Sequence, residues 1–287
     1  RTYIRALGWG FLVKEEQRRP VTSDPRVKRE LLEAWGQEGG YLDRRALDIE
    51  ESRNYKVTKA NVLIQKTRYS LTLQEQKVIL YLISKIGIDD REFQTYEFSI
   101  KEFCDICDIT PDSSYSYLKE VTKKLRDKSF FVRINDHEEI LLSWLSTCRY
   151  NRKQGTITLR ICEDMRPFLL ELKKQFTSYH LINVLSFKSK YSIRLYELMK
   201  SYSYLGKMSV GVDELKERLD AQNYINFKDF RVKVLEMAVG EINKYSDIYV
   251  TYETVARGRK IVELKFTIEP NDSLGVLAHR IDTLYKH

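Results

Sequence analysis

The residues best suited to chemistry in this 287-residue chain are four cysteines, four histidines and an excess of basic side chains. Cys104 and Cys107 form a C-x-x-C pair, a spacing used by zinc sites and by redox-active thiols. No second such pair follows, and Cys148 and Cys162 are isolated in strand-like sequence. Because the first pair also fits the apolar side of a short helix, we interpret it as packing and predict no metal site.

The sequence offers little to an enzyme. It contains no G-x-x-x-x-G-K-[ST] phosphate loop, and its histidines lack the paired spacing of a metal motif. A nicking enzyme with a tyrosine nucleophile would need such a histidine pair, so the 19 tyrosines are interpreted as packing residues. We therefore predict no catalytic activity, no catalytic residues and no cofactor.

The charge balance permits a polyanionic partner. Lysine and arginine number 49 against 41 acidic residues, for a net charge of +8 and a pI near 9.1. No apolar run of about 18 residues occurs, so no membrane partner is expected. The absence of a secretory signal and the small number of cysteines predict a reduced, cytoplasmic protein.

The elements that must position the basic residues become regular after about residue 56. Thr72 and Glu75 have the form of a capping box before a helix, and Ser99 and Glu102 form a second before a short helix through Ile109. The sequence then predicts a third helix and three strand-like runs, at 113–128, 130–134, 139–150 and 155–161. Three helices followed by a β-hairpin describe a winged helix.

The same order recurs in the second half of the chain. A connecting helix is predicted from Pro167 to about residue 175, because proline is favoured in a first helical turn. The following helices are expected at 189–203, 212–221 and 227–245, and the strands at 248–254 and 260–268. The predicted fold class is therefore α+β, with two winged-helix domains in tandem.

The third helix of the first half carries a candidate DNA-binding face. If Leu118, Val121 and Leu125 face the core, the rotation of about 100° per residue in an α-helix determines which residues lie on the opposite side. These residues are Ser116, Lys119 and Lys123. A solvated face with i,i+4 ion pairs is the alternative, and this helix alone does not decide between them.

The third helix of the second half carries another. Its predicted buried face is formed by Phe230, Val234, Ala238 and Ile242. Near its N-terminal end, where a recognition helix contacts bases and phosphates, lie Lys228, Arg231 and Lys233.

The predicted turn between the last two strands, residues 255–259, adds cations around a glycine. Arg257, Arg259 and Lys260 flank Gly258, a composition that suits phosphate or minor-groove contact. A solvated turn is the alternative. Agreement between two helices and a hairpin favours nucleic-acid binding more than any one of them does.

Several stretches resemble plasmid replication initiators of the iteron-binding type. These stretches are NVLIQ at 61–65, LTLQEQKVIL at 71–80, FTSY at 176–179, YSIRLYEL at 191–198 and FKDFRVKVL at 227–235, followed by EIN at 241–243 and GRK at 258–260. The resemblance extends from about residue 56 to 270.

The resemblance implies two winged-helix domains related by a pseudo-twofold, which bind successive major grooves of repeated origin DNA. The C-terminal domain would supply the more specific contact, with Arg231 and Lys233 reading the groove and with Lys228 and the hairpin cations on phosphates. The N-terminal domain would add DNA contacts and form the interface of a repressing homodimer. Val232 stands where relatives often have a third basic residue, which leaves open which side chain reaches the bases.

These considerations predict four segments: a loosely ordered extension at 1–55 with a helical candidate at 26–35, winged helices at 56–178 and 179–270, and a tail at 271–287. The expected partners are double-stranded origin DNA with direct repeats and host replication proteins such as a helicase or initiator. The predicted location is the bacterial cytoplasm, with plasmid DNA. The alternatives are a winged-helix transcriptional regulator without initiation activity and a rolling-circle initiator that nicks DNA.

Overall fold

The computed structural model describes residues 55–272, except for residues 88–89, 108–113, 136 and 171. The predicted extension, its helical candidate and the predicted tail lie outside the described residues, apart from Tyr55, Asn271 and Asp272. Within the described ranges, no helix is long and apolar enough to cross a membrane.

The first winged helix is built from three helices and a three-stranded sheet. Its elements are α2 (Leu73–Ser84), β3 (Tyr96–Ser99), α3 (Ile100–Ile106), α4 (Ser114–Asp127), β6 (Leu145–Asn151) and β7 (Thr156–Ile161). The sheet order is β3–β7–β6, all antiparallel. Before it come β1 (Lys56–Ala60), α1 (Asn61–Gln65) and β2 (Thr67–Arg68), and β2 pairs with an inserted hairpin, β4 (Ser129–Asn135) and β5 (Glu138–Ser143).

The two predicted capping boxes differ. Thr72 Oγ1 accepts from the Glu75 amide at 3.3 Å and the Glu75 carboxylate accepts from the Thr72 amide at 2.7 Å, so the first box is confirmed. Ser99 Oγ also accepts from the Glu102 amide, at 3.0 Å. The Glu102 carboxylate instead accepts a hydrogen bond from Tyr81 Oη at 3.2 Å. This helix ends at Ile106, earlier than predicted.

One predicted strand is wrong. Residues 139–150 form two strands in different sheets, and the break falls at Trp144. The Trp144 ring is fully buried, with centroids 5.3 Å from Tyr69 and 4.8 Å from Phe130. Packing of this indole into the core turns the chain from one sheet to the other, which local alternation of residue types does not reveal.

The second winged helix repeats the first. It comprises α7 (Lys190–Tyr202), β9 (Lys207–Gly211), α8 (Val212–Arg218), α9 over 227–245, β10 (Ile248–Arg257) and β11 (Lys260–Pro270). Its sheet order, β10–β11–β9, places the strand before the second helix against the last strand, as in the first unit. The predicted α+β fold with two tandem winged helices is therefore confirmed.

The connection between the units is less helical than predicted. The helix α5 contains only Arg166–Leu169, because the backbone of Leu170 is extended (φ −113°, ψ 153°). Pro167 does lie in its first turn, as expected. Then follow β8 (Phe176–His180) and the short α6 (Ile182–Leu185).

Equivalent strands join the two units. The strand β1 precedes the helices of the first unit and β8 precedes those of the second, and the two strands pair antiparallel with Thr58 opposite Ser178. The hydroxyl oxygens of this central pair are 3.0 Å apart. An antiparallel pair of equivalent strands is what a local twofold axis produces, in accord with the implied pseudo-twofold.

A buried ion network crosses the same junction. Lys59 Nζ on β1 lies 2.6 Å from a carboxylate oxygen of Glu197 on α7, and both side chains are at most 2% exposed. Arg194 approaches the same carboxylate at 3.7 Å, and Tyr179 Oη donates to it at 2.6 Å. Arg194 also donates to Tyr69 Oη at 2.6 Å, so both units contribute to the network.

Candidate nucleic-acid interface

The helix α4 has the predicted two faces. Leu118, Val121 and Leu125 are buried, which confirms the predicted core side. Thr122 also faces inward: its hydroxyl donates to the Leu118 carbonyl at 2.8 Å and lies 2.8 Å from Tyr150 Oη on β6. These contacts fix the helix against the sheet and leave the predicted contact residues, Ser116, Lys119 and Lys123, exposed.

These three side chains line an open groove of about 1020 Å³, together with residues that sequence reasoning missed. Lys101 comes from α3, and Arg152 comes from the turn between β6 and β7. In that turn Gly155 has φ +63°, a conformation that favours glycine. Four cations and one carboxylate, Glu120, therefore line the groove. The adjacent residues Arg152 and Lys153 before Gly155 were the available sequence signal.

The helix α9 also has the predicted buried face. Phe230, Val234, Ala238 and Ile242 are each 0% exposed. Asn226 caps the helix by accepting a hydrogen bond from the Asp229 amide at 2.8 Å. The helix is not uniform, however, because the segment Arg231–Glu236 is π-helical between the α-helical pieces Phe227–Phe230 and Met237–Tyr245.

The predicted cations of α9 are exposed, but two of them have acidic neighbours. Arg231 Nε lies 3.3 Å from Glu236 Oε1, and Lys233 Nζ lies 3.7 Å from Asp229 Oδ1. A hydrogen bond from Asn226, and then the charge of Lys233, lower the pKa of Asp229. Exposed ion pairs of this kind are weak, so they do not prevent either cation from contacting DNA.

The hairpin tip is tighter than predicted. The strand β10 ends at Arg257 and β11 begins at Lys260, so the turn contains only Gly258 and Arg259. Gly258 has φ +62°, which explains the glycine. Arg257, Arg259 and Lys260 are all exposed, and Lys260 Nζ lies 3.6 Å from an Asp213 carboxylate oxygen at the start of α8.

The nine predicted contact residues thus form two sets, one on each winged helix. The first set gathers in one groove with Lys101 and Arg152. The second is divided between the first half of α9 and the tip of the β10–β11 hairpin. Each set is exposed and lies on the third helix or the wing, the parts with which this fold contacts DNA.

The cysteine pair belongs to the core instead. Cys104 and Cys107 are 7% and 0% exposed, which confirms the predicted packing role. Burial, and then the neighbouring Asp105, raise the pKa of the Cys104 thiol to about 11. This thiol is therefore protonated at neutral pH.

Two winged helices with the same sheet order and exposed cationic third helices define a double winged-helix protein of the DNA-binding class. Residues 56–200 match the model of the family described as "Initiator Replication protein, WH1", and residues 211–268 match "Initiator Rep protein, WH2". The chain belongs to this family of replication initiator proteins, as the sequence resemblance indicated.

Individual relatives agree with this assignment. The chain is 28% identical over 226 residues to a replication initiation protein of Escherichia coli, covering 74% of this chain and 69% of the relative. It is 28% identical over 256 residues to the PI protein of Escherichia coli, covering 76% and 84%. A crystal structure of Pi initiator protein in complex with iteron DNA matches with a TM-score of 0.63 and 25% identity, covering 77% of this chain and 99% of the other.

Proposed function

We propose that this protein initiates plasmid replication by binding directly repeated duplex DNA, the iterons of an origin. Each winged helix would place its third helix in one of two successive major grooves. The observation that carries the proposal is the repeated architecture, in which both units display cations on or beside an exposed third helix. The related Pi initiator was crystallised with iteron DNA, which supports the same partner for this chain.

The two units would have different roles in binding. In the proposed unit at 179–270, Arg231 and Lys233 would face the bases, while Lys228, Arg257, Arg259 and Lys260 would contact phosphates. In the proposed unit at 56–178, Ser116, Lys119 and Lys123 would contact the neighbouring groove. The groove geometry adds Lys101 and Arg152 to the phosphate contacts. The first unit would also form the interface of a repressing homodimer.

Binding would be followed by opening of an adjacent AT-rich segment and recruitment of a host helicase or initiator. The chain itself would supply no catalytic step and would act beside plasmid DNA in the bacterial cytoplasm. Incubation with supercoiled origin DNA and a divalent metal should therefore leave the DNA unnicked. A nicked product would contradict this part of the proposal.

A hydroxyl-radical footprint on the DNA flanking the gene tests the binding mode. Two docked winged helices on one face of the duplex should protect a ladder of sites with a repeat of about two helical turns. Neutralisation of roughly 6–10 phosphates should give a log-affinity that falls with log-salt by about 0.9 per contact. Scattered protection would contradict the proposal.

Replication of a minimal plasmid separates an initiator from a transcriptional regulator of the same fold. A plasmid that carries the protected repeats should replicate in cells that supply only this protein in addition to host factors. A chain that binds the repeats but does not support replication would be a regulator.

A further inference from the structure

Two apolar side chains of α9 face solvent. Val232 is 48% exposed and Met237 is 43% exposed, whereas Phe230, Val234 and Leu235 are fully buried. The core therefore already has its apolar contacts from this helix, and Val232 and Met237 are available to a partner.

The π-helical segment determines which exposed residues are neighbours. In an α-helix, residues five apart point in directions that differ by about 140°. In a π-turn, whose i→i+5 hydrogen bonds make the turn wider, residues five apart point in much more similar directions. Arg231 and Glu236 are five apart and their side chains meet at 3.3 Å. Val232 and Met237 have the same spacing and are both exposed, so the spacing makes them neighbours in an apolar strip beside this ion pair.

The surroundings of the strip limit what can cover it. Lys228, Arg231 and Lys233 are exposed on the same part of α9 as the strip. Tyr252 of β10 lies beside the ion pair: burial and the Glu236 carboxylate raise the pKa of its phenol, while Arg231 lowers it. Three cations against the carboxylates of Asp229 and Glu236 leave this face with a net positive charge, so a suitable partner is locally apolar and otherwise anionic. The major groove of duplex DNA has this combination, because the thymine C5-methyl group is its apolar feature.

We propose that Val232, supported by Met237, reads the C5-methyl group of a thymine in the recognition site of α9. This inference depends on the proposed function, since it requires α9 to enter a major groove. It also gives a role to Val232, the position at which the family resemblance left open which side chain reaches the bases. The Arg231–Glu236 pair would hold the guanidinium beside the strip, in reach of the adjacent base pair.

Removal of a single methyl group from DNA tests the inference. The full chain is used to select duplexes from a randomised pool, and the selected duplex is resynthesised with each thymine replaced in turn by deoxyuridine. At one position the replacement should weaken binding by the parent about fourfold, the equivalent of one buried methyl group. Val232→Ala should bind the thymine duplex less tightly by a similar factor and should be insensitive to deoxyuridine at that position. Leu205→Ala, another exposed apolar truncation (52% exposed), is the control and should respond like the parent.

The outcomes separate the two proposals. If the parent selects a duplex in which no deoxyuridine replacement weakens its binding more than that of Val232→Ala, the methyl contact is wrong and the proposed function stands. The same conclusion follows if the parent selects a duplex without thymine. If the parent selects no duplex, both are wrong. Thermal unfolding midpoints equal to the parent's establish that both variants are folded.

Discussion

Glu197→Gln removes the negative charge shared by two buried cations at the junction of the winged helices. Lys59 lies 2.6 Å and Arg194 lies 3.7 Å from the Glu197 carboxylate, which is 1% exposed. Loss of the carboxylate leaves both cations uncompensated in a site without access to water. We expect the free energy of unfolding to fall by about 3–5 kcal/mol, the usual cost of breaking a buried ion pair from one side.

Lys59→Met should cost less than Glu197→Gln. After this change Glu197 keeps the charge of Arg194 and the hydrogen bond from Tyr179 Oη at 2.6 Å. The loss is then that of one charge-assisted hydrogen bond, about 2 kcal/mol. The order of the two costs follows from the geometry, because the carboxylate has two cationic partners and Lys59 has one acidic partner in the network.

The pH dependence has a defined sign. Burial alone would raise the pKa of Glu197, but Lys59 and Arg194, with hydrogen bonds from Lys59 and Tyr179, bring it below its ordinary value of 4.5. As the solution is acidified, the Glu197 carboxylate is therefore protonated at a higher pH in the unfolded chain than in the folded chain. The contribution of Glu197 is complete above pH 4.5 and is lost as pH falls through the lower pKa of the folded state.

Urea unfolding of the full chain, from neutral to acidic pH, measures both effects. Glu120→Gln is the matched control, because Glu120 forms an exposed pair with Lys124 (56% and 62% exposed) and should change stability by less than about 1 kcal/mol. The reasoning is refuted if Lys59→Met lowers the free energy of unfolding more than Glu197→Gln does. It is also refuted if acidification destabilises the Glu197→Gln variant as much as it destabilises the parent and the Glu120→Gln control.

Four further changes test the interface and its support. Arg231→Ala should weaken binding to the selected duplex by about 1–3 kcal/mol and relax its base preference in competition assays; unchanged affinity would exclude Arg231 from base contact. Arg259→Ala should weaken all duplexes about equally and reduce the salt slope by about one, and a sequence-dependent loss would argue against a phosphate contact. Lys101→Ala should match Lys123→Ala in its loss of affinity, since both line one groove; wild-type binding would place the groove away from DNA. Thr72→Ala should lower the free energy of unfolding by about 1 kcal/mol through loss of the cap, with unchanged base preference.

Local patterns predicted the parts of the fold that local interactions determine. The capping box of Thr72, a hydroxyl and a carboxylate three residues apart, forms as predicted, whereas at Ser99 only the hydroxyl contact forms because Glu102 accepts from the distant Tyr81 instead. The buried faces of α4 and α9 follow from helical periodicity, so Leu118 and Phe230 lie where the spacing places them. The repeat of element order was sufficient to predict two winged helices.

Contacts between distant residues account for what sequence reasoning missed. Lys59 and Glu197 are 138 positions apart, and each resembles an ordinary surface residue of an amphipathic element. Trp144 interrupts a strand-like run because Tyr69 and Phe130 receive its ring. Arg152 joins the α4 groove only through the turn between β6 and β7. None of these pairings has a local periodic signal.

The two candidate faces differ in charge, and this difference bears on how they would share DNA recognition. Four cations and a single carboxylate line the groove at α4. On α9, Arg231 and Lys233 each have a carboxylate partner within 4 Å. A less compensated face gains more from counterion release on any sequence, whereas the carboxylates beside Arg231 and Lys233 repel phosphates and reduce that gain on α9. Under the proposed function, α4 would therefore supply affinity that depends strongly on salt, and α9 would supply the discrimination among sequences.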